Sequence, residues 1–246
     1  MPRFTTPTAV LAAMLAVAPA TAAQPHWTTP FPARPTPALV GRLVRAGMLD
    51  RGRDAAGARP TTAWGQATRA QQARSLHAVV RALAEEQPPL PLAAAILTVA
   101  WVESGYNPIA RNPHSTACGL FQFVQATWRR YAGEGTRCTD PTVNADVGVR
   151  YLTKIYTRLM DPSVAGARRR ERPRLERIYR VLYAYHYHGI ASRHAPVGGT
   201  EAARRPAATG LRRLWAFYAV LQRAAKAAPS TEPPTTIQAG LFPPAA

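Results

Sequence analysis

The chain has 246 residues, which fits one domain with flanking segments or two small domains. Its formal net charge is +18, and only two of the 31 basic residues are lysine. A charge of this size favours polyanionic partners, namely a cell-wall polymer, a membrane surface or a nucleic acid, and it excludes no fold. A GC-rich genome is the alternative explanation for the many arginines.

The first 23 residues have the features of a secretory signal peptide. Arg3 precedes the apolar stretch 9–18, which is too short to span a bilayer, and Ala20 and Ala22 frame a cleavage site of small residues. We therefore expect residues 1–23 to be removed and the mature chain to be periplasmic. No other run reaches about 18 uninterrupted apolar residues, so no transmembrane segment is expected in the mature chain.

Three further segments flank the predicted domain. Residues 24–66 begin with prolines and threonines and are predicted to be a linker, with one short helix over 39–48 that either packs on the core or binds a partner. After a gap rich in glycine and proline, residues 191–228 are predicted to be a C-terminal extension with one amphipathic helix over 211–226. Residues 229–246 are predicted to be a disordered tail.

The remaining residues, 67–190, are predicted to form one domain. Apolar residues recur at helical spacing in five segments: 68–86, 91–103, 119–131, 144–160 and 173–185. Any sheet would be a small piece between Tyr106 and Thr116. The expected fold is therefore mostly α, with about six to eight helices and at most a small β piece.

One carboxylate follows the most apolar stretch of the chain. Residues 93–102 are almost entirely apolar, Glu103 comes next, and Asn107-Pro108 ends any helix there. Burial at this position would raise the pKa of Glu103 towards neutral pH, so that the side chain could hold a proton and donate it as a general acid. The alternative is a surface glutamate at a helix C-terminus.

Three short motifs resemble those of a known family in order and rough spacing. They are Glu103-Ser104-Gly105-Tyr106-Asn107-Pro108, then Gly119-Leu120-Phe121-Gln122, then Ala184-Tyr185. Over about residues 90–189 the chain resembles the soluble (SLT-type) lytic transglycosylases, which cleave peptidoglycan and have a lysozyme-like catalytic domain.

The resemblance implies that Glu103 is the catalytic residue. It would protonate the glycosidic oxygen between N-acetylmuramic acid and N-acetylglucosamine, and then accept a proton from the muramoyl 6-hydroxyl, which attacks the anomeric carbon and gives a 1,6-anhydro product. Ordinary glycosidases need a second carboxylate. Here one acid suffices, and the other acids between residues 87 and 189 fall in loops or on polar helix faces.

The resemblance also implies several substrate contacts. Ser104 would contact the glutamate or the substrate, although a plain helix-end role is the alternative. Ser115 would line the cleft, with a plain loop role as its alternative. Both serines are therefore candidate substrate-binding residues.

The second motif, Gly119-Leu120-Phe121-Gln122, would form part of the sugar site. Gly119 would let the backbone approach the sugar closely. Phe121, in place of the family's usual methionine, is expected to provide an apolar wall, and Leu120 is a further candidate for substrate binding. Gln122 would hydrogen-bond an acetamido group or a hydroxyl of the glycan.

The third motif of the family is Ala-Tyr-Asn-Ala-Gly, and the chain departs from it. Here His186 replaces the asparagine and the glycine comes one place late. Tyr185 would orient the catalytic carboxylate through its hydroxyl, and Tyr187 is the alternative. His186 and His188 do not suggest a metal site, because residues two apart on a helix do not face each other. No metal or other cofactor is expected.

Cys118 and Cys138 are the two cysteines of the chain. In an oxidising compartment the simplest expectation is one disulfide between them. The alternative is a reactive cysteine nucleophile, which no Cys/His spacing supports.

The sequence thus predicts an exported lytic transglycosylase that binds peptidoglycan glycan strands and opens the wall locally for an envelope-spanning apparatus, such as a secretion or conjugation system. A hydrolytic lysozyme-type muramidase and a non-catalytic wall-binding or assembly factor on the same fold are the alternatives. Nucleic-acid binding is not expected, because no recognisable module is present and the chain carries an export signal.

Overall fold

The computed structural model describes residues 28–48, 67–160, 175–188 and 200–227. Seven helices make up most of these ranges: α1 (Pro37–Met48), α2 (Arg69–Glu86), α3 (Leu90–Ser104), α4 (Gln125–Ala132), α5 (Pro141–Met160), α6 (Leu175–His188) and α7 (Glu201–Ala227). The prediction of a mostly helical fold is confirmed, and the architecture is consistent with a lysozyme-like domain.

Strand-like structure is sparse in the described residues. It consists of isolated antiparallel bridges, Pro30 with Pro89, Arg111 with Cys118, and Cys118 with Phe123. The last two bridges share Cys118 and form the small β piece, which extends beyond the expected end at Thr116.

Helix α3 lies at the centre of the molecule. Of its 15 residues 13 are buried, so the helix is apolar on all sides and needs neighbours all round. Helices α5, α6 and α7 pack against it. Pro91 stands in its first turn, and Gly105 ends it in a left-handed conformation, with its N–H donated to the Trp101 carbonyl at 2.8 Å.

The helices of both flanking segments pack on this core. Helix α1 contacts α2 and α7, and α7 runs along α3. Arg213 of α7 joins three helices, because it donates from Nη1 to the Ala46 carbonyl at 2.6 Å and its guanidinium lies 4.9 Å from the centroid of the Trp101 ring. The short N-terminal helix therefore packs on the core, the first of the two alternatives that the sequence left open.

Two predicted helix boundaries are wrong. Helix α4 begins at Gln125 and not at residue 119, because residues 119–122 form turns in which Gly119 and Gln122 have positive φ values of 80° and 48°. Helix α7 begins at Glu201, ten residues before the predicted start, and includes Pro206 and Gly210.

Gly210 is a packing residue and not a helix breaker. A Cβ atom at this position would lie 2.2 Å from the Tyr179 hydroxyl and 2.8 Å from Cγ2 of Thr98. The absence of a side chain lets α7 approach both α6 and α3 closely, so tertiary packing outweighs the low helix propensity of glycine here.

The predicted signal peptide, residues 1–23, and the predicted tail, residues 229–246, lie outside the described residues. None of the helices within the described ranges combines the length and the apolar content that crossing a bilayer requires.

We expect Gly210→Ala to lower the free energy of unfolding by about 1–3 kcal/mol, because the added methyl group overpacks the contact with Tyr179 and Thr98. Urea unfolding followed by circular dichroism measures this. Gly41→Ala is the matched control, because a Cβ atom at position 41 would lie 3.6 Å from Arg45 Nη1, an ordinary van der Waals contact. Alanine at this position in α1 should raise the free energy of unfolding by about 0.5–1 kcal/mol. Equal stability of Gly210→Ala and the wild type would contradict the packing argument.

Candidate active site

Glu103 occupies the last turn of α3, and its side chain is only 15% exposed. Burial raises the pKa of Glu103 from its ordinary value of 4.5 to about 7, and a hydrogen bond from the Tyr183 hydroxyl opposes part of this rise. The carboxyl can therefore hold a proton near neutral pH, as a general acid requires.

The tyrosine that donates to Glu103 is Tyr183, which the sequence analysis did not consider. Tyr183 is buried in α6. Tyr185 lies two residues after Tyr183 and so points to another side of the helix, near Arg158. Tyr187 lies one turn after Tyr183, and half of its surface is exposed. The expectation that Tyr185 or Tyr187 orients the carboxylate is corrected by this helical geometry.

His186 lies beside the same carboxyl group. Its Nε2 is 3.8 Å from Glu103 Oε1, and its side chain is 5% exposed. The ring packs edge-on against Phe123 and Tyr151, at centroid distances of 5.6 and 6.2 Å. Burial lowers the pKa of His186 to about 4, with a smaller opposing effect from the backbone of Phe121, so the imidazole is neutral when the carboxyl titrates.

The second motif, residues 119–122, packs against the start of α5 and the segment before it. Gly119 has a φ of 80°, and a Cβ there would lie 2.1 Å from the Cys138 carbonyl oxygen and 2.3 Å from Asn144 Nδ2. The glycine therefore admits protein backbone. Leu120 and Phe121 are fully buried, so they belong to the core and do not form the expected open apolar wall.

Two polar side chains fix this loop. The buried amide of Asn144 in α5 donates to the Cys138 carbonyl at 2.9 Å and accepts from the Phe121 N–H at 3.1 Å. Gln122 donates to the Gly119 carbonyl at 2.8 Å, while its Oε1 is buried without a hydrogen-bond partner among the described residues. Sequence reasoning missed Asn144, because only the tertiary structure brings the start of α5 to the loop.

The two predicted serines have structural contacts. The hydroxyl of Ser104, fully buried, lies 2.8 Å from the Leu120 carbonyl and 3.1 Å from the Ala100 carbonyl, so it ties the end of α3 to the second motif. Ser115 is exposed, and its hydroxyl accepts from the Ala117 N–H at 3.2 Å. Both contacts match the alternative, structural roles considered above.

Cys118 and Cys138 form the predicted disulfide, with their Cα atoms 5.9 Å apart. Neither sulfur is free, which removes the alternative of a cysteine nucleophile. The bond closes a loop of 20 residues and stabilises the fold by roughly 3 kcal/mol in the loop-entropy model. It anchors the second motif to the segment before α5.

Glu103 does not line either of two open cavities in the described part of the chain. One of about 670 Å³ opens beside Pro89 and Lys154, and one of about 650 Å³ opens beside the disulfide and Arg111. Segments 161–174 and 189–199, which flank α6, lie outside the described residues. Within the described ranges, no three side chains of His, Cys, Asp or Glu come together as a metal ion would require.

Comparison with protein families gives a match over the middle of the chain. The model of the Transglycosylase SLT domain family matches residues 84–196. This range runs from the end of α2 through α6 and contains Glu103, Tyr183 and His186, whereas α1 and α7 lie outside it. No curated protein and no solved structure matched the chain.

We expect Tyr183→Phe to raise the pKa of Glu103 by roughly one unit, because a hydrogen bond to the charged carboxylate is lost. Titration of the glutamate carboxyl carbons by NMR measures this pKa. Tyr185→Phe and Tyr187→Phe are matched controls that remove a hydroxyl from the same helix. An equal rise in either control would contradict the assignment of Tyr183.

The burial of Glu103 also predicts a pH-dependent cost in stability. The pKa of Glu103 in the folded protein, about 7, lies above the value of 4.5 for the unfolded chain. The free energy of unfolding therefore falls as the pH rises from 4.5 to 7, and Glu103 causes no further fall above pH 7. We expect Glu103→Gln to remove this loss, so that its stability relative to the wild type increases by about 3 kcal/mol between pH 4 and pH 8.

Urea unfolding at the two pH values tests this expectation. Glu134→Gln, which alters an exposed glutamate in the loop after α4, should show no such change. A constant difference between Glu103→Gln and the wild type would mean that Glu103 is not desolvated.

Proposed function

We propose that Glu103 is the catalytic acid and base of a peptidoglycan lytic transglycosylase domain of the SLT type, formed by residues 84–196. We also propose that the product carries a 1,6-anhydro end. The observation that carries the proposal is the buried carboxyl of Glu103, with its pKa raised to about 7 and with Tyr183 donating to it. This environment suits a group that must give up a proton and then take one back.

In the first step Glu103 donates its proton to the glycosidic oxygen. The bond between this oxygen and C1 of N-acetylmuramic acid breaks, and the N-acetylglucosamine side leaves as an alcohol. Positive charge develops on the muramoyl ring while the carboxylate becomes negative. The Tyr183 hydroxyl then stabilises the carboxylate by donating to it.

In the second step the muramoyl 6-hydroxyl attacks C1. A new O6–C1 bond forms, and the hydroxyl proton passes to the Glu103 carboxylate, which restores the acid. No water enters the products, so the bond is cleaved without hydrolysis. The enzyme needs only one carboxylate for both transfers.

The other acids of the domain support this single-acid mechanism. Asp146 pairs with Arg81 at 2.8 Å, and Glu176 accepts from Trp215 Nε1 at 3.0 Å. Burial and Tyr183 account for the shifted pKa of Glu103, with no contribution from another carboxylate among the described residues. A glycosidase that works with two carboxylates would hold the second one across the scissile bond.

We propose Gln122 and Tyr187 as the residues that contact the glycan. The buried Oε1 of Gln122 lacks a hydrogen-bond partner among the described residues, and a local movement that exposes it would let it accept from an acetamido N–H. The ring of Tyr187 is half exposed and stacks on Tyr183 with centroids 6.5 Å apart, which suits contact with a sugar face. The remaining candidates are Ser104, Ser115, Gly119, Leu120, Phe121 and Tyr185, and their contacts favour roles in holding the site.

We further propose export through residues 1–23 and local wall opening for an envelope-spanning apparatus. The substrate lies outside the cytoplasm, and residues 1–23 have the pattern of a secretory signal. Fusing these residues to a reporter that is active only in the periplasm tests export, and an inactive reporter would reject it.

We expect Glu103→Gln to reduce release of muropeptides from purified peptidoglycan by about 10²–10⁴-fold, because the general acid is lost while the amide keeps its volume. Glu134→Gln, an exposed acid of the same domain, should retain wild-type release.

Mass spectrometry of the wild-type products tests the chemistry. Muropeptides that are lighter than the hydrolysed forms by one water indicate 1,6-anhydro ends. Hydrated ends would favour the lysozyme-type alternative, and no release by the wild type would favour a non-catalytic wall-binding factor.

A further inference from the structure

His186 has features that a packing role does not explain. Its imidazole is enclosed by Phe123, Tyr151 and Tyr183, all in edge-on contact, and yet one ring nitrogen faces the carboxyl of Glu103 at 3.8 Å. The other nitrogen, Nδ1, is buried without a hydrogen-bond partner among the described residues. A buried polar ring that lacks a full set of partners costs stability, so an apolar side chain would be the better choice for packing alone.

We propose that His186 is a positioning residue for Glu103, and that its neutral imidazole donates from Nε2 to the carboxylate formed when Glu103 gives up its proton. The inference rests on the proposed role of Glu103. Nδ1 has no hydrogen-bond partner among the described residues, the Phe121 backbone also interacts with the ring, and a proton on Nε2 would point at the carboxylate. Donation to Glu103 requires the Nε2–H tautomer, with Nδ1 unprotonated.

The distance makes this contact selective for the charged state. At 3.8 Å, Nε2 and Oε1 are too far apart for a hydrogen bond in the resting protein. A negative charge on Glu103 attracts the N–H dipole strongly in a dry site, and a movement of about 1 Å would close the bond. Stabilisation that is stronger for the anion than for the acid lowers the barrier to proton donation.

The aromatic enclosure decides where the shared proton resides. An imidazolium beside Glu103 would leave the carboxyl ionised and unable to donate. Because the enclosure disfavours a charged ring, the pKa of His186 falls to about 4 while that of Glu103 rises to about 7. Between these values the single proton of the pair sits on Glu103, where the reaction needs it.

The surrounding titratable groups do not compete for this proton. Tyr151 faces the ring from α5, and Tyr179 and Tyr183 lie on α6 itself. Burial raises the pKa of Tyr151 to about 12 and those of Tyr179 and Tyr183 further, so all three are neutral between pH 5 and pH 9. The loop before α4 contributes Phe121 and Phe123, which do not titrate.

Substitution at position 186 tests the donor. His186→Leu keeps nearly the same volume and a dry site but removes both nitrogens, and we expect kcat to fall about tenfold or more with KM changed less than about twofold. The basic limb of the pH profile should move up by about half a unit or more, because losing a donor to the anion raises the pKa of Glu103. His186→Gln places an amide N–H near the position of Nε2 and should recover most of kcat and the position of the limb.

The control is His77→Gln on the exposed side of α2, which should behave as wild type. Unchanged kcat and pH profile in His186→Leu would overturn the proposal. So would an equal loss in His186→Leu and His186→Gln with the basic limb unmoved, since that pattern indicates packing alone.

A second measurement uses the folded wild type and needs no turnover. With ¹⁵N-labelled histidine, we expect Nε2 of His186 to stay protonated from pH 5 to pH 9 and to shift with a midpoint near 7, the pKa of Glu103. The shift should vanish in Glu103→Gln.

These results separate the two proposals. A midpoint that persists in Glu103→Gln, or a proton on Nδ1, overturns the role of His186 even if muropeptide release depends on Glu103. If Glu103→Gln retains release while the shift is present in the wild type, the catalytic proposal fails and the coupling of His186 to Glu103 stands as a physical contact.

Discussion

The cost of ionising Glu103 in its buried position is the constraint on which the proposed chemistry depends. The shift of its pKa from 4.5 to about 7 corresponds to about 3 kcal/mol. This cost arises because α3 is buried on all sides and brings its last turn against α6. Tyr183 and His186, three residues apart on α6, face the carboxyl from one side of that helix. The burial imposed by the fold therefore raises the pKa of Glu103 enough for its carboxyl to hold a proton near neutral pH.

The loop after α3 keeps this arrangement in place. The disulfide, the amide of Asn144 and the close approach at Gly119 bind the loop to the start of α5. The hydroxyl of Ser104 then connects the loop back to the end of α3. Residues that a motif would assign to sugar contact therefore work mainly as supports, which hold Phe123 against the ring of His186.

The two helices outside the matched range are part of the same core. Helix α7 packs along α3 and is joined through Arg213 to Ala46 in α1 and to Trp101, two residues before Glu103. The glycine at position 210 permits this close contact with α3 and α6. The helix that carries Glu103 is therefore packed against segments that sequence reasoning treated as extensions.

The amino-acid sequence by itself determined the helical class, the disulfide and the position of the buried acid. A helix that is apolar on every side must be buried, so a carboxylate that directly follows such a run is expected to be at least partly buried as well. Only the tertiary structure decided that Tyr183 serves Glu103, that His186 lies beside it and that Gly210 stands inside a helix. Local periodicity shows that side chains share a face, but it does not show which partner that face meets. Such choices depend on the packing of helices that are far apart in the chain.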